Sequence, residues 1–183
     1  MGSIYMEHVV GIPSPRVALV NVGLEEAKGN QLIKETAPLL KACEGLNYKG
    51  SIEAREIPDG AADVVLCDAF VGNVILKLSE GLSKVLVKEI KGGIMSSLRS
   101  KIGGALALPA LKKTLKRFDA SEYGGAPLLG LNGLVVKVHG SATSKEMRNA
   151  IIQCITFTEQ QINEKIKEEI LKGKEKQNEK KKD

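Results

Sequence analysis

The sequence predicts an α/β fold with a mostly parallel sheet, and three observations carry that prediction. Arg16 to Val22 is a short apolar run of the kind a buried parallel strand needs, and Ala62 to Cys67 reads as a further strand. Segments with helical period alternate with them, and the strand ends run into turns that contain glycine.

Pro13 and Pro15 bracket a turn, after which the first strand runs from Arg16 to Val22 and stops at Gly23. Gly29 to Cys43 reads as a helix because Leu32, Ile33, Leu39 and Leu40 recur at helical spacing, with Asn30 as N-cap and Pro38 as an interruption. A second strand is expected at Tyr48 to Ile52 and a third at Ala62 to Cys67. Val71 to Ile90 follows as a long helix with Val74, Leu78, Leu82, Val85 and Leu86 on one face. Gly92-Gly93 and Gly103-Gly104 flank a short stretch, and a second, basic helix is expected from about Ala110 to Phe118. Tyr123 to Gly133 is a loop rich in glycine and proline, and Leu134 to Val138 is the last strand. The final helix spans Ser144 to about Leu171, started by Thr143 and Glu146 at capping-box spacing.

The 183 residues are 43% hydrophobic and 27% charged, the make-up of one ordinary domain. No apolar run approaches the roughly 18 to 20 residues that span a bilayer, and no signal-peptide pattern precedes the first turn. Cys43, Cys67 and Cys154 are an odd number without metal-ligand spacing, so neither a disulfide framework nor a zinc module is indicated, and a reducing cytoplasm is expected. Cys67 beside Asp68 reads as a buried, inert thiol, since a neighbouring carboxylate raises thiol pKa. The formal net charge of +5 is uneven. Lys84 to Arg117 holds nine basic residues against Glu89 alone, so that segment is +8 and the remainder −3. Its cations alternate with leucines rather than aromatics, and the chain has no tryptophan, which argues against nucleic-acid binding. From Glu164 to Asp183, eight lysines and six acids read as a frayed helix end and a solvated tail.

In open α/β sheets ligands bind beyond the carboxyl ends of the strands, where helix N-termini offer free N–H groups to anions. Two junctions qualify. In Asp68 to Lys77, Gly72 permits close backbone approach, Asn73 offers an amide, and Lys77 lies one turn further on the same helix face. This set suits a phosphate or an oxyanion; equally, Asp68 or Asn73 caps the helix and Lys77 is a surface residue. In His139 to Glu146, His139 is the one histidine at a strand end, and it reads either as a catalytic contact or as a hydrogen-bonded structural residue.

Five blocks now bear comparison with a family: Asn21 to Asn30, Glu53 to Gly60, Ala62 to Lys77, Ser121 to Gly133, and Val138-His-Gly-Ser141. In this order they closely resemble the bacterial phosphate acyltransferase (PlsX) family. The resemblance implies transfer of a long-chain fatty acyl group from acyl carrier protein to inorganic phosphate. It implies an acyl phosphate product for phosphatidic acid synthesis; no cofactor or metal ligand is expected from the residues, and metal dependence stays open. It further implies a three-layer αβα fold of the isocitrate dehydrogenase and phosphotransacetylase type, a homodimer, and peripheral contact with anionic membrane from the cytoplasm. The family's chains are much longer, so this one resembles their C-terminal half: residues 1–163 as part of the α/β domain, 84–117 as an inserted basic arm, and 164–183 as helix end and tail.

On that footing Asn73, Lys77, His139 and Asp68 are expected at the catalytic centre, with Asp68 orienting Asn73 or Lys77. Gly72, Gly140, Ser141, Lys28, Asn30 and Glu25 are expected around the phosphate. In the arm, Leu98, Ile102, Leu106, Leu108 and Leu111 either meet lipid or pack in the dimer. Two other functions compete: a short-chain phosphate acetyl- or butyryltransferase using coenzyme A, and a non-catalytic dimerisation or lipid-surface module.

Overall fold

The computed structural model describes residues 1–116 and 124–179, the last six of these as backbone. The chain divides into two compact units, residues 1–67 with 121–183, and residues 68–120.

In the first unit, β1 (Val17–Asn21) is the middle strand of a three-stranded parallel sheet, flanked by β2 (Tyr48–Glu53) and β3 (Val64–Leu66). Val17 pairs with Tyr48 on one side and Val64 on the other, with a bulge in the β1–β2 pairing before Leu19. A central strand meets neighbours on both edges and both faces, so Val17, Ala18, Leu19 and Val20 are all buried, as their unbroken apolar run requires. The crossover from β1 to β2 is helix α2 (Gln31–Lys41). From β2 the chain returns past β1 to β3 through a short 3-10 turn, Ala54–Glu56. At the amino edge of the sheet, Arg16 clamps Asp63: its Nε and Nη2 donate to Oδ2 and Oδ1 at 3.0 and 2.9 Å.

Helix α2 runs through Pro38 rather than breaking there. Pro38 has no N–H to donate to the Lys34 carbonyl, and the helix runs on for three residues past it. The chain before β1, read from the sequence only as far as its turn, forms a short helix α1 (Gly2–Tyr5) that widens into a π turn at Met6–Val10.

The second unit is a helical hairpin, α3 (Ala69–Met95) packed on α4 (Leu98–Lys116). Both helices exceed the lengths expected from the sequence. Ser97 caps α4 by accepting the Ser100 N–H at 3.1 Å, and α4 continues through Pro109. Arg117, Phe118 and residues 119–123, part of the expected basic helix, loop and fourth resemblance block, lie outside the described residues, as do residues 180–183 of the tail.

The last strand departs from expectation. Residues Val136–Lys137 (β5) pair antiparallel with Ala126–Pro127 (β4) in a separate two-stranded ribbon. A parallel partner would need a crossover of a dozen or more residues, whereas residues 128–135 suffice only for a hairpin. The ribbon lies so close to α5 (Ser144–Glu159) that a Cβ on Gly124 would sit 2.3 Å from the Ala150 nitrogen. The single final helix is likewise two helices. Gln161, at φ 51°, turns the chain between α5 and α6 (Ile162–Glu179). That turn folds Ile162 and Ile166 back on Phe157, forming a core with Ile4, Tyr5, Val9, Leu129 and Leu134 around it. Packed residues therefore continue past Glu164.

Candidate functional site

Parallel strands deliver their carboxyl ends to one edge of a sheet, and here β1 reaches that edge with a buried polar residue, Asn21, 6% exposed. Its Oδ1 accepts the Val22 N–H at 2.8 Å, and its Nδ2 donates to the Lys28 carbonyl at 3.3 Å and lies 3.5 Å from Ser51 Oγ on β2. The amide thus ties both ends of residues 22–28 to the strand end.

Within that loop the Lys28 N–H closes a turn on the Glu25 carbonyl at 3.0 Å, and Lys28 Nζ bonds Glu25 Oε1 at 2.8 Å. The Lys28 hydrogen bond holds the Glu25 carboxyl below its ordinary range. Gly29 follows at φ 99°, a conformation that suits glycine, and a Cβ there would meet Asn21 Oδ1 at 2.6 Å. Asn30 then caps α2 through the Ile33 N–H at 3.0 Å. Glu25, Lys28 and Asn30 accordingly form one ordered rim that carries an exposed ammonium next to a helix start. These three are legible in the sequence, whereas Asn21, the residue that organises them, is not. Its signal was a polar side chain closing an otherwise apolar strand.

The other expected residues fall in separate places. Asp68 accepts the Val71 N–H at 2.9 Å and so caps α3; what it orients is the first turn of that helix. Gly72, Asn73 and Lys77 all lie in α3, Asn73 exposed and Lys77 bonded to Glu80 at 3.3 Å. His139 and Ser141 do meet. The Ser141 N–H donates to His139 Nδ1 at 3.2 Å, with Ser141 Oγ 2.8 Å from the same nitrogen. With Nδ1 accepting the Ser141 N–H, the neutral ring carries its proton on Nε2, and the residue is exposed. Gly140 sits between them, and the Thr143–Glu146 capping box starts α5 directly afterwards. This junction follows the antiparallel ribbon rather than a parallel strand. The Asp68–Lys77 junction belongs to the second unit, and the rim and His139–Ser141 belong to the first.

In the arm Leu98, Ile102, Leu106 and Leu108 are exposed, and Leu111 is half-buried. Among the described residues no helix is long and apolar enough to cross a membrane, and no group of His, Cys, Asp and Glu is placed to hold a metal ion. A hollow of about 860 Å³ is lined in part by Ser14, Pro15, Leu46 and Asn47. These residues precede β1 and β2, so it opens at the amino edge of the sheet, away from the Asn21 rim.

A family model described as "Fatty acid synthesis protein" matches residues 1–165. The phosphate acyltransferase of Brevibacillus brevis is 46% identical over 173 residues, covering 94% of this chain and 51% of its own. That of Clostridium novyi is 47% identical over 170 residues, 93% and 51%, and that of Alkaliphilus oremlandii 48% over 169 residues, 92% and 50%. The chain spans about half the length of these curated relatives.

Proposed function

The chain belongs to the fatty acid synthesis protein family, and from that premise we propose that it serves transfer of a fatty acyl group to inorganic phosphate. The observation that carries this reading is identity of 46 to 48% with phosphate acyltransferases over more than nine tenths of the chain. The acyl donor is a long-chain thioester of acyl carrier protein, and the acyl phosphate product feeds phosphatidic acid synthesis in the cytoplasm. Residues 1–163 serve as part of a three-layer αβα domain of the phosphotransacetylase type, and 84–117 as its dimerisation arm, whose leucines and cations also meet anionic lipid.

In the reaction a phosphate oxygen attacks the thioester carbon, a tetrahedral oxyanion forms, the C–S bond breaks, and the departing thiolate takes a proton. Each step places negative charge where fixed N–H donors and cations lower its energy. Lys28 and the start of α2 hold phosphate at the rim. Gly72, Asn73 and Lys77, on a helix start fixed by Asp68, stabilise the oxyanion or phosphate. His139 donates from Nε2, with Ser141 and the Gly140 amide beside it. Glu25 keeps the Lys28 ammonium in place. No group on the enzyme need be acylated.

A second reading rests on the exposed leucines of the arm, Leu98 and Leu106 above all. On it the chain serves as a dimerisation or lipid-surface module. One experiment separates the two: hydroxylamine trapping of acyl phosphate from purified chain, long-chain acyl carrier protein and phosphate. Catalysis predicts phosphate-dependent product, reduced about 100- to 1,000-fold by Asn73→Ala. No product from folded protein supports the module. A preference for short-chain acyl coenzyme A would instead assign an acetyl- or butyryltransferase.

A further inference from the structure

We infer that Asn21 is a positioning residue for the phosphate-binding rim, holding Lys28 over the carboxyl end of β1 through its side-chain amide. The inference rests on the assignment of Lys28 to phosphate contact. Four consecutive apolar residues precede Asn21 in β1, and burying an amide beside them is costly unless both its ends are bonded. Both are, and to the two ends of the same loop: Oδ1 to Val22 at 2.8 Å and Nδ2 to the Lys28 carbonyl at 3.3 Å. Gly29 presses against the same oxygen so closely that a methyl group there would overlap it. Lys28 is therefore fixed at its backbone by Asn21 and at its ammonium by Glu25, 2.8 Å away. With its backbone fixed, the four-carbon stem has less to order when its ammonium is shared between Glu25 and an anion. An apolar side chain of similar size at position 21 would fill the space and leave the loop unheld.

The test follows the backbone amides of residues 28–32 in the whole chain during titration with inorganic phosphate, together with a pH titration of the Glu25 carboxyl. Asn21→Leu is expected to weaken the phosphate response about tenfold, the weight of one lost hydrogen bond, and to return Glu25 towards its ordinary range. Asn21→Asp keeps the acceptor for Val22 but sets a carboxylate against the Lys28 carbonyl, so it is expected to behave like Asn21→Leu. Titration of Asp63, at the other edge of the sheet, stays unchanged in both. A merely structural asparagine would lower thermal stability while leaving Glu25 and the phosphate response as they were, and that result overturns the inference. If Asn21→Leu fails to fold, Gly29→Ala displaces the loop from the opposite side; unaltered Glu25 and phosphate responses in that folded variant overturn it equally. Should the unsubstituted chain show no phosphate response, the phosphate assignment falls, and the Glu25 titration still decides whether Asn21 holds Lys28.

Discussion

Arg16 and Asp63 show how much one residue pair settles. Besides the fork onto the carboxylate, the Arg16 backbone N–H donates to Asp63 Oδ2 at 2.7 Å, and its guanidinium reaches the Ala61 and Gly60 carbonyls at 3.2 and 2.9 Å. The clamp therefore fastens the approach to β3 against the start of β1. The hydrogen bond from Arg16 holds the Asp63 carboxyl below its ordinary value. A carboxylate with a depressed folded value contributes stability above its unfolded value and loses it as pH falls through the folded one. We expect acid unfolding to carry this signature. Asp63→Asn should lower the melting temperature at neutral pH and flatten its fall as pH drops below the ordinary carboxylate range, measured by circular dichroism across pH. Asn21 is the counterpart at the opposite edge, where the same strand needs a neutral amide because it must both donate and accept.

At the scale of elements, caps decide where helices begin. Asn30, Asp68 and Thr143 each accept an N–H from the first turn of α2, α3 and α5, and Thr143 with Glu146 completes a reciprocal box. Loss of such a cap costs about 1 kcal/mol. Thr143→Ala should accordingly destabilise the chain by that amount in urea unfolding, and it should also loosen residues 139–142, seen as faster amide exchange around Ser141. The caps were legible because three-residue spacing is local chemistry. Ends and partners were less so. Composition predicts an interruption at Pro38 and helix at Gln160-Gln161, whereas the helix persists at the proline and breaks at the glutamines. Packing of Ile162 and Ile166 on Phe157 rewards that break, and no propensity of glutamine announces it. Similarly, Leu134–Val138 has the composition of a parallel strand, but the shortness of the chain between it and Ala126 makes it a hairpin arm.

At the scale of the whole molecule, the hairpin unit sets exposed leucines among its lysines. Residues 68–120 hold ten basic residues against four acids, a net +6 that leaves the rest of the chain at −1, and the described residues of this unit include no buried side chain. Leu98 is 75% and Leu106 80% exposed. A surface that combines such leucines with lysines suits an anionic membrane. We expect the whole chain to sediment with vesicles of anionic lipid and to be released as salt shortens the electrostatic range below about 8 Å. Leu106→Ser should weaken binding at low salt less than replacement of Lys112 and Lys113 by alanine. Salt-insensitive binding lost in Leu106→Ser would assign the contact to apolar insertion.

The linear sequence carries the α/β class, the central strand, the helix starts and the family, because each depends on local composition, local spacing or identity spread along most of the chain. It also brought Glu25, Lys28 and Asn30 together, since they share one short loop, and His139 with Ser141, two residues apart. Tertiary structure alone decided that Asn21 anchors that loop, that the last strand leaves the parallel sheet, and that Ile166 belongs to the core. Those outcomes depend on which distant atoms compete for the same buried space and hydrogen bonds, and that competition exists only once the chain has folded.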